Sequence, residues 1–467
     1  MHNLSVEEHR ERLENIKRAA ASVRSCVREL RIHDYIPGQV IYYLGDYPAP
    51  MNITPTEYDY ELLKSYAERG FGLIQVHEEW NDTIEKYGSD KWNSCDKEGM
   101  KKFIELCHEF GIKIIPYCSS SYIHGGSASF TEKFCRSDYG CADMHYAYRV
   151  AHAGSEYWRN FIIPRAFHIM DEYGFDGLFN DWGYDWHNSH IIPIPEEKRS
   201  IDYPVEGYDL EAEDLIHTLY DGVKARGGIY KLHVGHNEKA PVRGRHYDYL
   251  WIGEGKFGAE YGAGKMYEPF VVPCPDKPRL TKYGETRFDA DEYFAMTIPF
   301  VQFPLLTHGR PTMGKCIDVP GVKQYHTEDP NRLYHYFERV RDFADKHPNG
   351  PYVYSEWSQI PDDPEDFDKW SHYLELYKPM VIDETVVHME IRDCLSIMSD
   401  IPEQVYITMF SNTRQYMVVS NMTEEPYRLE LKGIWENRET DEVGTDFVVP
   451  AKRLLFLVRN SFCIDSE

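Results

Sequence analysis

The segment YGFDGLFNDWGYDW (173–186) starts as a buried strand would, with Phe175, Leu178 and Phe179, and then stops on Asn180-Asp181-Trp182. A carboxylate at the end of an apolar run, followed by Trp182, Tyr184 and Trp186, has the makings of a site rather than a core. Aromatic faces stack against the C–H faces of a sugar ring, while acids and amides bind the hydroxyls at its edge. Other residues of suitable chemistry also end apolar runs: Asp46 in YLGDY, His77, Glu79 and Trp80 in QVHEEWND, His236 in HVGHNE, Glu254 in WIGEGK, and His308 with Arg310 in THGRP. Glu254 apart, these are candidate sugar contacts. A metal on His77, Glu78 and Glu79 is disfavoured, because consecutive strand residues point to opposite faces.

The elements that would carry these residues alternate. Short apolar runs at 39–45, 72–77, 113–118, 175–181, 231–236, 249–254 and 300–308 are separated by segments of helical period. In DKEGMKKFIELCHEFG, Met100, Phe103, Ile104, Cys107 and Phe110 share one face ahead of Gly111. This pattern predicts a (β/α)₈ TIM barrel over residues 38–383, with seven of its eight strands nominated and 351–356 or 378–383 open for the eighth. After about residue 384 closely spaced β-runs without helices predict a C-terminal antiparallel β-sandwich domain (384–467). Residues 1–37 read as an N-terminal helical segment packed on the outside of the barrel. In such a barrel, functional groups stand at the C-terminal ends of the strands, where the candidates fall.

Composition narrows the function classes. A formal net charge of −26 over 467 residues, with no Lys/Arg run, argues against nucleic acid or an anionic membrane as partner and suits a neutral carbohydrate. Nothing in it opposes a homo-oligomer. The ten cysteines form no CxxC pair, so no zinc site or disulfide framework is expected, and a reducing, cytoplasmic location fits. The N-terminus lacks a signal's apolar stretch, although a trimmed leader would leave the same chain. The glycine-rich GEGKFGAEYGAGK (253–265) lacks the GxxxxGK[ST] register, and no HExxH or GxSxG is present. No cofactor and no metal are expected.

The run Gly174-Phe175-Asp176-Gly177-Leu178-Phe179-Asn180-Asp181 resembles the fourth-strand motif of the α-amylase superfamily and related retaining barrel glycosidases of the α-galactosidase type. The resemblance implies a barrel with a C-terminal β-domain and Asp181 as the catalytic nucleophile. Phe179 stands where the amylase pattern has arginine, and His308-Gly309 where it has His-Asp. Retaining hydrolysis needs a second carboxyl about 5–5.5 Å away, acting as acid and then base. Glu254, at the sixth nominated strand end, is the candidate, with Asp248 and Glu238 in reserve. Asp176, inside the GFDG turn, is expected to hold backbone amides. The expected function is hydrolysis of an α-linked glycoside with retention. The alternatives are a transglycosidase or sugar isomerase on the same barrel, or a non-catalytic carbohydrate-binding protein.

Overall fold

The computed structural model describes residues 4–44, 52–77, 80–81, 92–94, 96–125, 127–135, 148–184, 210–234, 246–253, 270–274, 289–310, 346 and 364–459. Eight parallel strands form one sheet: Gln39–Tyr43, Leu73–Val76, Lys113–Cys118, Gly177–Tyr184, Ile229–Val234, Tyr249–Gly253, Val271–Cys274 and Leu305–Gly309, here called the first to eighth strands. From the first to the seventh each pairs with the next in sequence, and the eighth pairs with the first through Leu305↔Gln39 to Gly309↔Tyr43. The seventh and eighth strands meet without a ladder, joined ahead of them by Phe270 N–H to Val301 O (2.9 Å) and Phe303 N–H to Val271 O (2.8 Å). The result is a nearly closed TIM barrel.

Local chemistry explains the elements. Thr56 and Asp59 form a capping box at the start of helix Glu57–Arg69, which ends at the left-handed Gly70. Asp96 caps helix Lys97–Glu109, whose Met100, Phe103, Ile104 and Cys107 are buried as the spacing predicts, while Phe110 is the C-cap and half-buried. Gly177 opens the fourth strand where a Cβ would lie 1.9 Å from Ile229 O, so only glycine permits the approach.

The strand expectations need correction at the seventh position. The run 300–308 supplies the eighth strand, after a 3₁₀ turn at Ile298–Phe300, and the seventh is Val271–Cys274. Its four residues include Pro273, a breaker that hid it from pattern reading. Of the two segments left open, 378–383 begins with a 3₁₀ turn, Lys378–Met380, and 351–356 lies outside the described residues.

The N-terminal segment also departs from expectation. Only Val6–Ser22 is helical, while Val23–Arg31 is an edge strand paired antiparallel with Val386–Cys394. The alternation in VRSCVRELR suits a half-exposed edge, and a long-range partner overrode helical propensity. The helix lies on the C-terminal domain instead of the barrel: Asn15 Nδ2 donates to Asn412 O (3.0 Å) and Arg12 to the Glu384 carboxylate (3.0 Å).

The C-terminal domain is a seven-stranded antiparallel sheet that closes on a second core. Ile391, Ile407, Met409, Met417, Leu455 and Leu457 from one half meet Leu429, Trp435, Phe447 and Val449 from the other, which makes it a sandwich. Its opposite face, with Val387, Met389, Phe410, Val418 and Phe456, joins the core that runs through the barrel. Thr408 Oγ1 donates to Pro299 O (2.7 Å) and Ser420 Oγ to Ala295 O (2.8 Å) across that junction.

Candidate active site

Register decides which side chains enter the barrel. Lys231 Nζ donates to Gln39 Oε1 (3.1 Å) across the barrel, so the residues in register with these two and alternate with them face inward. On the fourth strand these are Phe179 and, one layer nearer the mouth, Asp181; on its neighbours they are Tyr117 and His233. Tyr43 and His77 complete this side of the layer, their rings 5.8 Å apart, with His77 5.2 Å from the Tyr117 ring. Phe179 and Trp251 form its floor, edge to face at 5.2 Å.

Asp181 is 9% exposed and held at both oxygens. Tyr117 donates its hydroxyl to Oδ2 (2.5 Å). His233 meets Oδ1 through Nδ1, and because a carboxylate only accepts, Nδ1 carries the proton. Tyr122 in turn bonds the Tyr117 hydroxyl. Trp251 lies against the His233 ring at 4.2 Å and fixes its plane. An acid so oriented keeps one geometry through a reaction.

Asn180, beside it, faces outward. Its Oδ1 accepts from Ser120 N–H (2.9 Å), and its Nδ2 donates to Ser120 Oγ (2.8 Å) and to the Tyr230 hydroxyl (2.7 Å). Asp176 accepts from Ile114 N–H and from His108 Nε2, both at 2.8 Å, so this acid ties strands together below the mouth.

Several candidates stand elsewhere than the sequence suggested. His308 faces outward, its Nδ1 2.6 Å from the Tyr66 hydroxyl and its ring stacked on Phe367; burial, aided by Arg69, pushes its pKa down to about 4. The eighth strand's register puts Thr307 inward in its place. Arg310 grips Asp59 through Nε and Nη2 (both 3.0 Å) and donates to the carbonyls of Asn52 and Thr54, so its guanidinium braces the segment after the first strand. Trp80 is fully buried, donates Nε1 to Tyr117 O (2.7 Å) and packs edge-on to Tyr173 and Phe175. The reserve acid Asp248 lies at the opposite end of the sixth strand, taking Lys224 Nζ and Tyr230 N–H. Trp182 and Tyr184 continue the fourth strand. Asp46, Glu79, Trp186, His236, Glu238 and Glu254 lie outside the described residues.

Of the candidates whose side chains are described, Asp181 and His77 stand in the mouth, joined by Tyr117, Tyr122 and His233, which the sequence does not single out. His233 carries a local signal, since alternation in KLHV puts it on the same face as Lys231, but the strand runs over Ile229–Val234 instead of the expected 231–236. Tyr117 was concealed within an apolar run, KIIPYC, in which a tyrosine passes for core.

Among the described residues, His33, Asp383 and Glu384 form the one triad spaced for a metal ion. Arg12 and Arg31 both engage Glu384, making it an ion-pair junction between the N-terminal segment and the C-terminal domain. No disulfide framework is expected from the cysteine spacing, yet Cys135 is disulfide-bonded, to a partner outside the described residues. No described helix is long and apolar enough to cross a membrane.

No protein-family model matches the sequence, and no curated protein matches it. Solved structures do resemble the fold. The maltogenic α-amylase AmyB of Thermotoga neapolitana aligns over 91% of this chain and 99% of its own, with 12% identity and a TM-score of 0.54. The α-glucosyl transfer enzyme XgtA aligns over 91% and 99%, with 13% identity and a TM-score of 0.55. The α-galactosidase AgaA of Geobacillus stearothermophilus aligns over 92% of this chain and 57% of its own, with 10% identity and a TM-score of 0.51. The neighbours are α-amylase-type glycoside hydrolases and their kin, and this chain has their fold: a TIM barrel with a C-terminal β-domain. At such identity the likeness speaks for architecture alone.

Proposed function

We propose that the protein is a retaining glycoside hydrolase acting on an α-linked carbohydrate, with Asp181 as nucleophile and Glu254 as acid/base. The observation that carries this reading is Asp181 itself: an inward carboxylate in the C-terminal half of the fourth strand, with donors on both oxygens. That is where barrel enzymes keep their chemistry. The aromatic and imidazole surroundings of Tyr43, His77 and Trp251 suit a sugar ring.

In the proposed first step an Asp181 oxygen forms a bond to the anomeric carbon as the glycosidic C–O bond breaks, and the leaving oxygen takes the proton of Glu254. In the second, water bonds to the same carbon, gives its proton to Glu254, and the ester bond to Asp181 breaks. Two inversions give net retention. Substrate contacts are assigned to His77 and, from the sequence, to Asp46, Glu79, Trp182, Tyr184, Trp186 and His236. In this scheme water resolves the covalent intermediate; a second sugar in its place gives glycosyl transfer.

The test is Asp181→Asn on the nitrophenyl α-glycoside that a panel of α- and β-substrates selects. Turnover is expected to fall at least about a thousandfold with folding intact. Activity within tenfold of wild type would assign the nucleophile elsewhere.

A further inference from the structure

We propose that Tyr122 is a positioning residue for the nucleophile, acting on Asp181 through Tyr117; this rests on the reading of Asp181 above. A phenol has one proton. Tyr117 gives its proton to Asp181 Oδ2, so the bond between the two tyrosines is donated by Tyr122 and accepted by Tyr117. With the acceptor side of Tyr117 so occupied, its hydroxyl is turned toward the carboxylate, and the two bonds polarise each other in the same direction.

The backbone around Tyr122 is built to hold it there. Ser120 is fastened by Asn180 on one side, while its carbonyl accepts Trp158 Nε1 (2.8 Å) on the other. Ala151 N–H reaches Ser121 O (2.9 Å), and Tyr122 pairs with Val150 in the hairpin Tyr122–His124/Tyr148–Val150. Tyr122 is itself buried. Adjacent residues of the fourth strand therefore serve one purpose from opposite faces: Asn180 fixes the turn that carries Tyr122, and Asp181 receives the hydrogen bond which that turn directs. The excursion between the third and fourth strands is thereby coupled to the reacting carboxylate, although Tyr122 does not touch it.

The experiment follows covalent labelling of the full-length protein by the 5-fluoro glycosyl fluorides of α-gluco and α-galacto configuration, read by intact mass and peptide mapping. Tyr122→Phe is expected to slow labelling about tenfold while leaving the half-saturating concentration unchanged, because the interaction matters at bond formation and not in binding. In a Tyr117→Phe background the same substitution is expected to have no further effect, since its route to Asp181 is gone. A wild-type labelling rate in Tyr122→Phe, or losses that multiply in the double variant, would overturn the proposal; multiplied losses are what independent packing defects produce. Should Tyr122→Phe not fold, 3,5-difluorotyrosine at position 122 keeps the shape with a stronger donor, and an unchanged rate would equally overturn it. Failure of the underlying reading looks different: the wild-type protein would turn over substrate yet carry no label, or carry it on a residue other than Asp181.

Discussion

Asn180 and Ser120 exchange two hydrogen bonds between the fourth strand and the turn after the third, Oδ1 accepting from the Ser120 N–H at 2.9 Å and Nδ2 donating to Oγ at 2.8 Å. Both residues are buried, so neither bond competes with water. Asp181 therefore has a frame as well as ligands: the strand that carries it is fastened to the turn whose flanking tyrosines face it. A buried carboxylate held in this way costs little reorganisation when charge moves.

An acid/base and a nucleophile fail differently, which allows Glu254 to be tested apart from Asp181. With a dinitrophenyl glycoside, whose leaving group needs no proton, Glu254→Ala is expected to keep the first step and stall the second. Azide should then restore turnover as a glycosyl azide of retained configuration, identified by NMR of the product. An inverted azide would remove the double displacement, and rescue of Glu238→Ala in its place would move the acid role to Glu238.

Arg310→Met separates a structural arginine from a substrate-binding one. Burial works against the charge of Asp59, but the hydrogen bonds and charge of Arg310, with the Tyr42 hydroxyl, outweigh it and hold the carboxyl below its ordinary range. Removing the guanidinium leaves a fully buried acid without its cation, at a cost of about 3–5 kcal/mol. A clear fall in Tm is expected by calorimetry. A raised KM with an unchanged Tm would restore Arg310 to the substrate.

Lys231 should shape stability against pH. Its amine is wholly buried in the barrel, and desolvation, opposed by Cys274, pushes its pKa down from 10.5 to about 7. Between pH 7 and 10.5 the unfolded chain therefore binds a proton that the folded one does not, and stability rises with pH across that window by about 1.4 kcal/mol per unit. Below about pH 7 the full penalty applies. Lys231→Met is expected to be stabilised relative to wild type most below pH 7, with the difference shrinking toward pH 10 in urea titrations. A difference independent of pH would mean that the amine stays charged inside the barrel.

The C-terminal domain should be inseparable from the barrel. The apolar face bearing Val387, Met389, Phe410 and Phe456 belongs to the barrel's own core, and cutting near Asp383 would expose its counterpart. Expression of residues 1–383 is expected to yield aggregated protein by sedimentation and size exclusion. A soluble, fully active truncation would contradict this.

Periodicity was enough to read seven strands of a barrel, a β-rich C-terminal domain and the position of Asp181, because alternation, helical spacing and turn residues are local properties that chain order preserves. The GFDG turn stands at the start of the fourth strand, where Gly177 allows the close approach of Ile229 and Asp176 accepts from Ile114 N–H. Inward or outward facing was not legible. His308 and Thr307 are neighbours in sequence, and only pairing with the first strand turns one toward Tyr66 and the other into the barrel. Residues 23–31 became a strand because Val386–Cys394, more than 350 positions away, offered a ladder. Tyr117 and His233 reach Asp181 from sequence separations of 64 and 52, and Tyr122 reaches it only through Tyr117. A carboxylate can be recognised by its place at a strand end, but the donors that hold it are chosen by closure of the barrel, which no local pattern records.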